Sequence, residues 1–199
     1  MDVTKDEIVR GQIIEAAKEL FQKFGMAKTT MEDIAKAVGK GKSSLYYYYS
    51  TKEDIFEAVI AKDKAHIIEE TKAAIEKETT AEAKLYAYAH TIYKAVRKRI
   101  ILFNILSAEI KDNMCLMKMV RKKYDAIELE LICNIIKFGI ETGEFDQANN
   151  EKLDELAFVS ISALRGLQIN LVHENNRSGH SIKRLINTAV EMLVKALKS

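Results

Sequence analysis

The sequence contains no proline, only eight glycines and only two cysteines. With no proline there is no helix breaker of that kind and no Pro-rich spacer. Cys115 and Cys133 stand 18 residues apart with no CxxC or Cys/His cluster, so neither a zinc site nor a disulfide framework is expected. They read as free thiols in a helical core. No apolar run reaches the ~18 residues that a membrane span needs. The N-terminus is charged and lacks an apolar signal region, and a soluble cytoplasmic chain without membrane contact is expected. P-loop, GxGxxG, GxSxG and HExxH patterns are missing. No catalytic residue, metal ligand or cofactor site is therefore assigned, and the chain is not expected to be an enzyme.

Ala, Lys, Glu, Ile and Leu dominate what is there, a composition that favours helix nearly throughout. An all-α fold of about nine helices follows. Val9, Ile13, Ala17, Leu20 and Phe24 recur at helical spacing over residues 7–24, and Gly25 ends that helix. Apolar spacing predicts further helices over about 52–78, 81–99, 100–111, 116–142, 149–175 and 181–197. The segment 149–175 is apolar on more than one side. Ser160, Ala163 and Gly166 recur in it every three residues and would let a second helix approach closely.

The net charge is +2, and that excess lies within residues 1–52. The stretch Thr29–Lys52 is the most informative. Thr30 and Asp33 form a T-x-x-D helix start, and Thr51 and Asp54 repeat it. Gly39 and Gly41 break the first short helix, with Gly41 expected to supply the sharp or left-handed turn. A second short helix carries Lys42, Ser43, Ser44, Leu45 and four tyrosines, Tyr46 to Tyr49. From Ile34 to Lys52 there are four lysines and no acid. Two helices about a tight turn, the second basic and rich in hydroxyls, make a helix-turn-helix pattern. Leu45 and Tyr49, four apart, are expected to face the core.

Thr30, Met31, Ile34-Ala35, Gly39, Lys42-Ser43-Ser44, Leu45-Tyr46, the aromatic block and Lys52 resemble the DNA-binding motif of the TetR family of transcriptional regulators. The resemblance covers residues 7–67, with the motif at 30–49. It departs at Lys40, where an apolar residue is usual, at Gly41, where a capping Ser is common, and at Tyr48, where His is frequent. It implies a DNA-binding domain over 7–67 and a helical effector-binding and dimerisation domain over 68–199. The implied function is a repressor, released from a palindromic operator by a small-molecule effector. The partners would be double-stranded operator DNA and a second copy of the chain, paired through residues 149–198.

Lys42, Ser43 and Ser44 are the expected base readers, unless the serines only cap their helix. Thr30, Tyr47, Tyr48 and Lys52 are expected on phosphates, and Tyr46 on the groove wall or a base. Polar and aromatic residues embedded in apolar stretches mark the candidate effector pocket: Tyr86, His90, Tyr93, Asn104, Arg165 and Asn170. Arg165 needs an anionic partner, Glu109 or an acidic ligand. Two other readings remain open, a helical protein-binding adaptor that does not bind DNA and a helical enzyme. An adaptor would not need an acid-free basic helix, and an enzyme would need a catalytic constellation.

Overall fold

The computed structural model describes residues 4–98, 114–173 and 182–199. Among them are eight α-helices and one 3-10 helix: α1 (Lys5–Phe24), α2 (Met31–Ala37), α3 (Lys42–Tyr48), α4 (Lys52–Glu76), α5 (Ala81–Lys98), α6 (Met114–Glu141), the 3-10 helix Gln147–Lys152, α7 (Leu153–His173) and α8 (Ile182–Leu197). The fold is all-α, as expected. The helix expected over 100–111 lies outside the described residues.

The chain divides into two compact units. Among the described residues, the first holds 4–65 and 114–121, the second 66–98, 122–173 and 182–199. The helix α4 contributes its first part to one unit and its remainder to the other.

In the first unit, Val9, Ile13, Ala17 and Phe21 of α1 are buried with Ile34 and Ala35 of α2, Leu45 of α3 and Ile55, Phe56, Val59 and Ile60 of α4. Phe21 meets Phe56 edge to face at 5.4 Å between ring centroids. Lys18 Nζ lies 2.6 Å from Asp63 Oδ1 and Lys62 Nζ 2.8 Å from Glu15 Oε1, so two ion pairs join α1 to α4. Each of three helices begins with its own reciprocal cap. Thr4 pairs with Glu7, Thr30 with Asp33 and Thr51 with Asp54.

In the second unit, α5 packs on α7 and α8. Leu85, Tyr88, Ala89 and Ile92 of α5, Ile132, Ile135, Ile136 and Ile140 of α6, and Ile186, Val190 and Val194 of α8 build the core. The first turn of α5 is capped from far away. The amide of Ala81 donates to both carboxylate oxygens of Glu144 at 2.9 Å, across 63 residues of sequence. Gly139 on α6 makes that approach possible. A Cβ there would run into the Phe145 ring and stand 2.8 Å from the Cβ of Ala81. Gly139→Ala is expected to lower stability by about 1–3 kcal/mol through overpacking, read as a shifted denaturation midpoint. An unchanged midpoint would mean that Phe145 moves aside without cost.

Arg165 is half-buried and paired within the fold. Its Nη2 lies 2.6 Å from Glu128 Oε2, and its Nη1 lies 3.0 Å from Asp125 Oδ1. The partners are therefore two acids of α6, and Glu109 lies outside the described residues. The sequence offers no signal for these partners, because α6 carries several acids at ordinary surface spacings.

Candidate nucleic-acid interface

The helix α2 starts at Thr30, whose Oγ1 accepts from the Asp33 amide while the Thr30 amide donates to Asp33 Oδ2 at 2.9 Å. The Thr30 side chain, and then its backbone, hold the exposed Asp33 carboxyl below its ordinary range. The helix closes on Val38 and Gly39. Gly39 has φ +64°, the Lys40 amide donates to Ala35 O at 2.9 Å, and the Gly39 amide donates to Lys36 O at 3.1 Å. This is a Schellman turn. The left-handed residue is thus Gly39 and not Gly41, whose φ of −71° and ψ of 153° are extended. Gly41 serves instead as the N-cap of α3. The two glycines divide the work because one turn must both reverse and re-enter a helix.

No side chain caps α3. The hydroxyls of Ser43 and Ser44 are not used as caps, and Lys42, Ser43 and Ser44 are all exposed. Lys42 Nζ lies 3.8 Å from the carboxylate of Glu32, also exposed, a loose pair that water screens. Leu45 alone of α3 is fully buried. Tyr46 and Tyr47 project from the surface, 47% and 73% exposed.

Tyr48 and Tyr49 are half-buried. The Tyr48 hydroxyl donates to Asp6 Oδ1 at 3.1 Å, and Arg10 Nη1 donates to the Tyr48 carbonyl at 2.8 Å. Desolvation, and then the bond to Asp6, raise the Tyr48 phenol above its usual range. Tyr49 is not a core residue in the way Leu45 is. It leaves the helix in an extended conformation (φ −142°) and takes the Arg10 guanidinium over its ring at 5.2 Å. Lys52 opens α4 and donates from Nζ to the Met26 carbonyl at 2.9 Å. Of the expected contacts, Lys42, Ser43, Ser44, Tyr46 and Tyr47 lie open on one short helix. Thr30, Tyr48 and Lys52 also hold the unit together. Asp6 and Arg10 carry no mark of this role in the sequence. They lie on α1, and periodicity alone does not tell which helix a charged flank will meet.

Of the six candidate effector residues, the four whose side chains are described do not converge. Tyr86 and His90 stack at 6.4 Å on one side of α5, where His90 Nε2 lies 2.8 Å from Asn187 Oδ1 of α8. Tyr93 shares that side by helical spacing and packs partly buried on the core. Arg165 belongs to another cluster. Tyr88, on the opposite side of α5, is 2% exposed, and burial and then Glu128 push its phenol far up. An open depression of 450 Å³ is lined by Thr80, Glu82, Ala83, Tyr86 and Glu144, so it includes just one of the six. Asn104 and the side chain of Asn170 lie outside the described residues, as does the side chain of Cys115. Cys133 is half-buried with its thiol 3.6 Å from Asp154 Oδ1, and burial raises its pKa. Among the described residues there is no cluster of three or more His, Cys, Asp or Glu that could hold a metal ion, and no helix long and apolar enough to cross a membrane.

Residues 13–59 match the family model described as bacterial regulatory proteins, tetR family, and residues 63–199 match the one described as QacR-like protein, C-terminal region. The chain is 29% identical over 205 residues to the HTH-type transcriptional regulator TtgR of Pseudomonas putida, covering 96% of this chain and 94% of that protein. It is 26% identical over 208 residues to the probable HTH-type transcriptional regulator ArpR, also of Pseudomonas putida, with 96% and 94% covered. A solved transcriptional regulator from Cytophaga hutchinsonii has the same fold, with a TM-score of 0.73 at 28% identity over 95% of this chain and 98% of that one. With a helix-turn-helix built on α2 and α3, and with family models matching nearly its whole length, the chain belongs to the TetR family of bacterial regulatory proteins and is a DNA-binding regulator of transcription.

Proposed function

We propose that this regulator is a repressor that binds a palindromic operator as a homodimer and is released by a small-molecule effector. The observation that carries the DNA-binding part is the first turn of α3. Lys42, Ser43 and Ser44 are exposed there and uncommitted to capping, on a stretch without acids. Lys42 and the serines read base edges, with Tyr46 on the groove wall or a base. Thr30, Tyr47 and Lys52 hold phosphates, which fix register without reading sequence, whereas the Tyr48 hydroxyl, the fourth expected there, is given to Asp6. Residues 7–67 carry this activity, and 68–199 carry dimerisation and effector binding.

One helix-turn-helix covers too little DNA for tight specific binding, so two copies are required. The supporting observation is a stripe along α7. Phe158 and Val159 are 65% and 59% exposed, followed at helical spacing by exposed Ser162, Ala163 and Gly166. Met192 of α8 is 69% exposed. These lie within 149–198 and form the homodimer surface. The effector site lies among the helices spanning about 81–172, with Tyr86, His90, Tyr93, Asn104, Arg165 and Asn170 as its candidates. An effector releases DNA by binding better to a dimer whose two α3 helices no longer match the half-site spacing.

The test begins with selection of bound sequences from random duplex DNA, which yields the operator. Lys42→Ala and Ser44→Ala are each expected to weaken operator binding by about 1–3 kcal/mol. Unchanged operator affinity in both variants would remove α3 as the base reader. A panel of metabolites and drugs that leaves operator affinity untouched would remove the effector part.

A further inference from the structure

The helix α3 is seven residues long and buries Leu45 alone. It has no side-chain cap at its start and no basic residue in its last turn. So short a helix does not hold its own orientation in water. Its far end is held from α1, by two residues one turn apart. Asp6 Oδ1 accepts the Tyr48 hydroxyl at 3.1 Å, and Arg10 Nη1 donates to the Tyr48 carbonyl at 2.8 Å. The Arg10 guanidinium carbon also lies 5.6 Å from the Tyr48 ring centroid and 5.2 Å from that of Tyr49. Tyr48 ends α3, so its carbonyl is one of those a helix leaves without an internal partner, and a cation there also suits the helix dipole. The planar guanidinium can donate to that oxygen and face the two rings at once, which an ammonium does less well.

We propose that Asp6 and Arg10 are positioning residues for sequence recognition. By fixing the Tyr48 end of α3 they set the angle at which Lys42, Ser43 and Ser44 enter the groove. They govern discrimination between DNA sequences without touching DNA. Asp6, a carboxylate, is repelled by phosphates and has no use there as a DNA contact. The inference rests on the reading of α3 as the recognition helix.

The experiment measures the affinity of the full chain for its selected operator and for a scrambled duplex, over a salt series. Arg10→Met and Asp6→Ala are expected to lose roughly tenfold in the ratio of the two affinities, comparable to a mismatch in the site, with the salt slope unchanged. Asp6→Asn removes the same charge yet keeps an oxygen that accepts the Tyr48 hydroxyl. It is expected to bind both duplexes more tightly and to retain most of the ratio. Tyr48→Phe, which deletes the same bond from the other side, is expected to match Asp6→Ala, and it serves as the second variant should Arg10→Met fold poorly. Arg10→Met that weakens both duplexes alike and lowers the salt slope by about one makes Arg10 a phosphate contact. Equal weakening with an unchanged slope and a lower melting point makes it a stabilising residue. Either result overturns the proposal. A wild type that selects no sequence defeats the reading of α3, and this inference with it.

Discussion

A chain carrying Phe158→Glu and Val159→Glu is expected to sediment as a folded monomer and to bind operator more weakly by about 10²–10⁴-fold. The size follows from avidity. A monomer engages one half-site, and the second contact loses its effective concentration. Phe158 and Val159 are the right positions because each is mostly exposed within a single copy. Charge there leaves the interior of the second unit alone, and the melting profile of the monomer should show that. Leu164 would be a poor choice, since at 3% exposed it belongs to the core of its own chain. A variant that stays dimeric at micromolar concentration, with operator affinity intact, would move the interface off α7.

Arg165→Met is the second large effect. The guanidinium sits between Glu128 at 2.6 Å and Asp125 at 3.0 Å, with its own side chain 27% exposed. Removing it leaves the Glu128 carboxylate poorly hydrated beside the buried Tyr88. The expected loss is about 2–3 kcal/mol, below the range for fully buried pairs because water still reaches Asp125. Adding Glu128→Gln should recover part of it, since the stranded charge goes and an amide remains to bond Tyr88. Chemical denaturation of the two variants measures both numbers. Undiminished stability in Arg165→Met would show that the pair adds nothing to the fold, and would leave Arg165 available to a ligand.

Much of this architecture is legible in the sequence because its signals are local. Thr30 with Asp33 and Thr51 with Asp54 announce two helix starts within four residues each, and the structure forms both caps. The apolar spacing from Val9 to Ala17 and from Ile55 to Ile60 marks faces that are indeed buried, whereas Phe24, at the end of the first of these stripes, is 50% exposed. What is not legible depends on partners distant in sequence. An apolar helix such as α7 does not reveal which of its faces the chain itself covers, so Leu164 and Phe158 look alike until packing separates them. Gly39 and Gly41 both mark a turn, and only the hydrogen bonds of Lys40 and Gly39 decide which is left-handed. Arg165 calls for an acid, but nothing in the one-dimensional pattern points to Glu128. Asp6 and Arg10 look like ordinary solvated charges until α3 is laid against them.

The capping contacts also bear on the order in which the chain can take shape during synthesis. Thr4 with Glu7, Thr30 with Asp33 and Thr51 with Asp54 each close as soon as a few residues have emerged. The start of α5 is only half independent: Thr80 Oγ1 accepts the Ala83 amide locally at 3.1 Å, but the carboxylate that receives the Ala81 amide belongs to Glu144. A nascent chain halted anywhere before Glu144 keeps the Thr80 cap and leaves the Ala81 amide to water. Pairings this far apart in sequence come at the cost of a long loop closure, and they form late. On the ribosome, α1, α2 and α4 can therefore complete their caps at once, while α5 begins from Thr80 and completes its cap only after Glu144 has emerged.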